Sequence, residues 1–286
     1  MKKDVYKIIT DRILNELEKG TIPWKRPFKS SGGMQRNLIT KKKYRGINIF
    51  LLLVQNYESP YWLTYKQAQE LKGSVRKGEK GTLVIFWNWI EKMDDKTEEP
   101  EKIPFIRYYT VFNLAQTEGI EVKEGSACAE CNEKAKINFN PIASCEIIVN
   151  TMPKRPQILY GKRSACYIPG LDRVEMPNQT LFLSVEDYYS TLFHELGHAT
   201  GHNDRLCRKE VIEKERFGSI EYGKEELVAE MTSAFVCGHA GIESSTIENQ
   251  AAYIDGWRKA IKKDSKIIVL AAAQAQKAAD YILQQE

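Results

Sequence analysis

The chain has 286 residues, of which 42% are hydrophobic, and its 42 Lys and Arg against 38 Asp and Glu give a formal net charge of +4. A chain of this length buries a large core and can form two domains. No apolar run approaches the ~20 residues of a membrane-spanning helix, and the N-terminus alternates charged with apolar residues instead of forming a signal peptide. We therefore expect a cytoplasmic protein with reduced cysteines and no membrane partner.

The charge is unevenly distributed along the chain. Residues 1–90 hold 18 Lys and Arg and 7 Asp and Glu (net +11), so 24 basic and 31 acidic residues (net −7) remain for 91–286. Four of the five tryptophans also lie in the basic part. Single-stranded nucleic acid is bound by basic grooves and by aromatic rings that stack on bases. The predicted DNA contacts are Trp24, Lys25, Arg26, Lys29, Lys41, Lys42, Lys43, Arg45, Arg76, Lys77 and Lys80.

Some of these basic and aromatic positions have a second interpretation. A solvated turn is the commoner fate of a short charge run such as Lys41–Lys43. Trp87 and Trp89 share one face of a predicted strand, where a core position and a DNA-facing position fit the pattern equally well. Trp62, beside Pro60, favours a structural role.

The first third of the chain alternates predicted helices with β-rich segments. Helices are expected over Val5 to Leu17, over Ile47 to Gln55, and after a cap at Thr64. The β-rich runs "GTLVIFWNW" and "IRYYTVFNL" flank the polar insert "EKMDDKTEEPEK", which predicts either a charged hairpin loop or a mobile excursion. The two glycines of "VRKGEKGT" predict a tight hairpin or loop that presents its basic residues together.

A stretch of low apolar density predicts a linker at residues 119–143, between a domain at 1–118 and a domain at 144–286. Cys128 and Cys131 in this stretch have the spacing of half a zinc ribbon. No second paired motif follows, which argues against a structural zinc, although Cys145 leaves the question open.

Short strands are predicted before the histidine-rich segment at residues 194–202, and a long helix is predicted after it. "CEIIV" at 145–149 and "QILYG" at 157–161 are typical of strands. The stretch from Ala251 to the C-terminus has a long helical pattern, which favours a structural brace.

Residues 194–202 read "HELGHATGH" and contain three of the four histidines. At ~100° per residue, His194 and His198 lie one turn apart on the same side of a helix, as a zinc clamp requires. Glu195 lies about 60° around from His198, close enough to hold a metal-bound water and act as general base. This is the H-E-x-x-H pattern of zinc peptidases. Ser184 predicts the start of this helix, which we expect over about residues 185–200.

A third metal ligand is expected in the downstream segment "KEELVAEMTSAF", because two imidazoles leave a zinc site incomplete. Glu226 and Glu230 share one helical stripe there. We predict Glu226 as the ligand and Glu230 as the acceptor that orients a ligand imidazole, with the reverse assignment open. Glu225, about 100° away, is expected to be solvated. His202 is a further candidate ligand.

Ordered motifs over nearly the whole chain resemble one known family. "HELGHATGHNDRL", "FGSIEYGKEELVAEMTSAFVC" and "YIDGWRKAIKKDSKIIVLAAAQAQKAADYIL" resemble the zincin-type metallopeptidase domain of ArdC-family antirestriction proteins from mobile plasmids. "GTIPWKRPF", "YRGINIFLLL", "SPYWLTYKQAQELKGSVRKGEKGTLVIFW" and "YYTVFNLAQTEGI" resemble that family's N-terminal single-stranded-DNA-binding domain. The resemblance implies an α+β fold, in which a mixed α/β DNA-binding domain precedes a zincin-like α+β domain with the HExxH helix. It also implies protection of incoming plasmid DNA from host restriction.

Two functions from different classes therefore stay open. In the first, the chain binds single-stranded DNA and its Zn²⁺ site cleaves a host protein. In the second, the chain shields DNA by occupancy, its zinc is structural and its peptidase site is inactive. A DNA-cutting metalloenzyme is a weaker third hypothesis, because two-metal nucleases use aspartate-rich centres.

Overall fold

The computed structural model describes residues 4–25, 33–93, 100–120, 141–212, 220–243 and 250–285. The predicted DNA contacts Arg26 and Lys29 and the cysteines Cys128 and Cys131 lie outside these ranges, as do the side chains of Trp87 and Trp89. Within them, no helix is long and apolar enough to cross a membrane.

The first half of the described chain is built on a four-stranded sheet with strand order β1-β2-β5-β4. β1 (Arg36–Asn37) pairs in parallel with β2 (Tyr61–Leu63), which pairs antiparallel with β5. β4 (Thr82–Met93) and β5 (Pro100–Asn113) are antiparallel, so they are the arms of the predicted hairpin. β3 (Ser74–Val75) pairs with β6 (Thr117–Glu118) in a separate ribbon.

Three helices accompany this sheet, and their positions follow local sequence rules. α1 (Val5–Glu18) begins at Asp4, whose carboxylate accepts from two backbone amides, and it buries an apolar face of the predicted kind. α2 (Ile47–Leu53) is almost entirely buried. α3 (Tyr65–Glu70) begins with a capping box formed by Thr64 and Gln67, which confirms the predicted cap.

The second half contains a small sheet and helices α4 to α9. The sheet has the order β7-β9-β8, with β7 (Gln157–Leu159), β8 (Cys166–Ile168) and β9 (Arg173–Glu175). The helices are α4 (Pro141–Thr151), α5 (Val185–Ala199), α6 (Lys209–Ile212), α7 (Ile220–Ala240), α8 (Gln250–Lys263) and α9 (Ile267–Leu283). α7 is the central helix and packs against both α5 and α9.

One sequence prediction in this half is wrong, and the helical prediction for the C-terminal stretch is refined. The segment "CEIIV" forms part of helix α4, because its buried residues Cys145, Ile148 and Val149 recur at helical spacing and pack against α7. The C-terminal pattern is two helices, since the chain breaks after Lys263. The break is held by α1, whose Thr10 hydroxyl donates to the Ser265 carbonyl at 2.7 Å.

One continuous hydrophobic core joins the two halves of the chain. The ring of Trp24 meets Trp257 of α8 edge to face at 5.2 Å and meets Phe50 of α2 at 6.2 Å. Phe50 stacks in turn on Phe235 of α7. The predicted domain boundaries at 118 and 144 stay a prediction.

Candidate functional site

The HExxH residues lie on α5, which begins at Ser184 as predicted, with the Ser184 hydroxyl accepting from the Asp187 amide at 3.0 Å. His194 and His198 point the same way, with their Nε2 atoms 3.1 Å apart. Glu226 on α7 faces both, its carboxylate oxygens 3.5 Å from His194 Nε2 and 3.6 Å from His198 Nε2.

These three side chains could hold a divalent metal ion. Their ligand atoms lie within 4.8 Å of one another. Ligands bound to tetrahedral zinc at ~2.0–2.1 Å are separated by roughly 3.3 Å, which is close to the three distances observed. Two imidazoles and one carboxylate leave a fourth position for water, as a catalytic zinc site requires.

The close approach of α5 and α7 makes this arrangement possible. A Cβ atom at Gly197 would lie 3.2 Å from Ala229 Cα and 3.3 Å from Thr232 Cβ of α7. Glycine therefore lets the two backbones meet and brings Glu226 to the histidines. Gly197 is one of the two variable positions of the HExxH pattern, so the motif itself does not single it out.

The prediction that Glu225 is solvated is wrong. Glu225 is 6% exposed, and its Oε1 lies 3.1 Å from His198 Nδ1. Arg208 donates to both Glu225 oxygens, at 2.9 and 2.6 Å, and also to the Thr200 hydroxyl and the Gly197 carbonyl. Burial opposes ionisation of Glu225, but the Arg208 charge and the hydrogen bonds from His198 and Arg208 hold the pKa of this carboxyl below its usual value.

Glu225 and Arg208 orient the imidazole of His198, a role that metal sites assign to the groups behind their ligands. The sequence contained one usable indication of this: an acidic residue directly before the predicted ligand. No sequence pattern indicated Arg208, because this residue lies after a loop and the direction of its side chain depends on the tertiary fold.

Glu230, predicted to orient a ligand imidazole, lies on the other side of His194. Its Oε1 is 3.8 Å from His194 Nδ1, longer than a hydrogen bond, and has no hydrogen-bond partner among the described residues. Burial raises the pKa of this carboxyl. Lys25, from the first half of the chain, interacts electrostatically with Glu230. Burial lowers the pKa of the Lys25 ammonium, and the charge of Glu230 opposes that shift.

The acidic residues around the histidines make the site attractive to a cation. Burial alone would lower the pKa of His194, but Glu226, Glu195 and Glu230 raise it to about 9. Burial likewise opposes ionisation of Glu226, yet the hydrogen bond from His194 and the charges of both histidines lower its pKa to about 2. A bound cation would take over the charge that the histidines otherwise supply.

His194, His198 and Glu226 line a cleft of about 950 Å³, which Glu195 also lines. Strand β8 also lines this cleft, and β8 pairs only with β9 in the described sheet. Leu181 and Leu183 line the same cleft and are strongly exposed. His202, the further candidate ligand, lies outside the metal-binding group, and its Nδ1 accepts from the Asp204 amide at 3.2 Å.

The predicted DNA contacts divide into three groups. The prediction for Trp24 is wrong: it is 1% exposed, because its ring fills the core between α2 and α8. Arg45 pairs with Asp280 of α9, and Arg76 bonds Glu79 and the Ala115 carbonyl. Of the predicted lysines that the structure describes, Lys41, Lys42, Lys43, Lys77 and Lys80 are exposed, and Lys25 is half-buried.

Comparison with known proteins matches each half of the chain to a different family model. Residues 3–112 match the N-terminal domain of anti-restriction factor ArdC, and residues 146–274 match the zincin-like metallopeptidase family. The metal-free crystal structure of the antirestriction ArdC protein from the R388 plasmid superposes with a TM-score of 0.77 and 34% identity, over 98% of this chain and 97% of that one. The chain belongs to the ArdC family.

The Mn(II)-bound structure of the R388 ArdC protein is similar to the same extent, with a TM-score of 0.76, 33% identity and the same coverage. The uncharacterized protein y4eC of Sinorhizobium fredii is 33% identical over 99% of this chain and 92% of its own length. DNA primase TraC of Escherichia coli is also 33% identical over 99% of this chain, but the chain spans 27% of that primase. The predicted α+β fold with an ArdC-type N-terminal part and a zincin-like part is confirmed.

Proposed function

We propose that this ArdC-family protein binds single-stranded DNA in the cytoplasm and protects incoming DNA from host restriction, using a zinc peptidase-type site. The observation that carries the proposal is the convergence of His194, His198 and Glu226 on one point beside Glu195, in an open cleft. Family membership supports the antirestriction role, and the net charge of +11 over residues 1–90 supports DNA binding.

Zinc fits the donor set because two imidazoles and one carboxylate with an open position form a common catalytic zinc site. When bound, zinc supplies Lewis acidity and lowers the pKa of a coordinated water toward ~7. Glu195 lies next to the first histidine and lines the cleft, where its carboxylate can take a proton from an attacking water and return it to the leaving amine. Because one R388 ArdC structure contains Mn(II), manganese is the metal with which zinc should be compared in binding experiments.

The proposed substrate is a host protein bound as an extended segment. Strand β8 lines the cleft, and one of its edges is free of strand partners within the described sheet. An extended chain can pair with such an edge through backbone hydrogen bonds. The exposed apolar residues Leu181 and Leu183 would then meet its side chains.

A second candidate function is a DNA-binding shield whose zinc is structural. It is favoured by the position of the site, because a metal ion bound between α5 and α7 would cross-link two core helices whether or not it acts on a substrate. Glu195 favours the peptidase, since a purely structural zinc normally has four protein ligands and needs no base.

The variants Glu195→Gln and His194→Ala separate these functions. We expect wild type and Glu195→Gln to carry one equivalent of metal by mass spectrometry and His194→Ala to carry none. Protection of conjugatively transferred DNA should be lost in Glu195→Gln if peptidase chemistry is required. Full protection by Glu195→Gln would establish the shield instead, and metal-dependent cutting of labelled single strands would establish the nuclease.

A further inference from the structure

A second cleft, of about 670 Å³, opens on the side of the molecule that carries the basic turn. It lies between the turn at residues 40–48, strands β4 and β5, and helix α9. We call it the α9 cleft. Its volume is in the ~300–1,000 Å³ range of ligand pockets. The lining residues are Asn37, Thr40, Lys42, Lys43, Tyr44, Arg45, Gly46, Ile47, Asn48, Thr64, Gln67, Ile85, Phe86, Tyr109, Val269, Ala273 and Gln276.

Two exposed aromatic rings line the α9 cleft. Phe86 on β4 is 52% exposed and Tyr109 on β5 is 39% exposed. Phe86 is paired with Arg107 in the strand register, and Tyr109 lies two residues beyond Arg107, so the three side chains share one face of the hairpin. Aromatic rings exposed on one face can stack on other planar rings, so this face is suited to stacking.

The turn that lines the α9 cleft is positively charged. Lys42 and Lys43 are exposed and line the cleft. The turn that carries them is attached to α9 in two places, by the ion pair of Arg45 with Asp280 and by the Gly46 amide, which donates to Gln276 Oε1 at 2.9 Å. The turn is therefore held beside the aromatic face, with its two lysines close to the stacking rings.

We propose that the α9 cleft is a binding site for single-stranded DNA, in which bases stack on Phe86 and Tyr109 and phosphates meet Lys42 and Lys43. This proposal rests on the proposed function and names the residues that perform its DNA-binding step. Aromatic stacking beside lysines is the arrangement by which proteins bind single strands without sequence readout. Stacking on these rings requires unpaired bases, because the faces of paired bases lie inside the stack of a duplex.

Both halves of the chain contribute residues to the α9 cleft. Its floor is α9, with Val269, Ala273 and Gln276, and this helix belongs to the half of the chain that carries the metal-binding residues. α9 packs directly on α7, where the Thr232 hydroxyl lies 3.4 Å from the Ala275 carbonyl. The DNA site therefore requires both halves of the chain, although the positive charge lies in the first.

Fluorescence anisotropy with labelled oligo-dT of about 20 nucleotides tests the stacking, since single-strand sites span ~4–16 nucleotides. Phe86→Ala should weaken binding roughly 5- to 150-fold, the effect of losing one stacked base. Phe86→Trp should retain the affinity. Tyr160→Ala, which removes a ring that is 55% exposed outside the cleft, should leave it unchanged.

A second pair of variants tests the floor of the cleft without touching the basic half. Ala273 is exposed on α9, so Ala273→Glu and Ala273→Gln add nearly the same volume and differ in charge. The glutamate should weaken binding by about tenfold or more through repulsion of phosphate, and the glutamine by less.

Lys43→Gln tests the phosphate contact. It should lower the salt dependence of binding by about 0.7 in the slope of log K against log salt.

The outcomes distinguish this proposal from the proposed function. If the wild type does not bind oligo-dT, the DNA-binding function itself fails. If it binds, but Phe86→Ala and Ala273→Glu match the wild type, the strand lies elsewhere and only the α9 cleft is wrong. Equal affinity for a duplex, or tighter binding of an RNA of the same sequence, would also overturn the assignment.

Discussion

The substitution Glu225→Gln tests whether the buried network behind His198 controls the metal site. The amide keeps one oxygen that can accept from His198 Nδ1, now 3.1 Å from the carboxylate. It removes the negative charge and turns an NH₂ group toward the guanidinium of Arg208, which now donates to both oxygens. Arg208 is left as a buried cation without its counterion.

Two magnitudes follow from this geometry. Breaking one partner of a buried ion pair costs about 3–5 kcal/mol, and we expect the lower end, because Arg208 retains its bonds to the Thr200 hydroxyl and the Gly197 carbonyl. The variant should still fold, since domains of this size are stable by ~5–15 kcal/mol. Loss of the group that orients a ligand imidazole should weaken metal binding about 10- to 100-fold.

The assay is competition between the folded protein and a chelating indicator for Zn²⁺, with urea unfolding of the metal-free form measured alongside. Glu175→Gln is the matched control, because Glu175 accepts from Arg173 at 2.7 Å and belongs to no metal-binding group in the described chain. It should leave metal affinity unchanged. Metal affinity within about twofold of wild type in Glu225→Gln, together with reduced stability, would refute an orienting role and leave Glu225 a purely structural residue.

Three further predictions test the fold. Trp24→Ala should lower the free energy of unfolding by about 3–5 kcal/mol in urea without weakening oligo-dT binding, because the ring fills the core. Gly197→Ala should cost about 1–3 kcal/mol in the same assay, since the new methyl group would lie 3.2 Å from Ala229 Cα. Burial disfavours the ionised form of Asp172, but the hydrogen bond and charge of Arg205 hold the pKa of this carboxyl below its usual 3.8. The carboxylate therefore stabilises the fold above about pH 3.8, and this contribution is lost as the pH falls below that value. In acid titrations followed by circular dichroism, wild type should lose stability below about pH 4 more steeply than Asp172→Asn.

Local rules predicted the elements whose determinants lie within one or two helical turns. The start of α5 at Ser184 and the cap of α3 at Thr64 depend on a side chain three residues from its partner. The pairing of His194 with His198 depends only on the helical repeat. Each of these interactions is complete within its own segment.

The errors have the opposite cause. "CEIIV" has strand-like composition, but its apolar residues meet α7 at helical spacing, and that contact decided the conformation. Trp24 was grouped with the lysines around it, although the core between α2 and α8 was available to its ring. Phe86 and Tyr109 were not among the predicted DNA contacts, because their common exposure depends on strand register and on α9.

The sequence by itself determined the HExxH helix, the candidate base Glu195, the charge difference between the two ends and the resemblance to the ArdC family. Tertiary structure alone decided which downstream acid faces the histidines, how Arg208 and Glu225 support His198, and which basic residues share a cleft with aromatic rings. The physical reason is the separation along the sequence over which each interaction acts. Capping and helical periodicity act over three or four residues, whereas a metal-binding group or a stacking site forms only when packing brings distant helices and strands within a few ångströms.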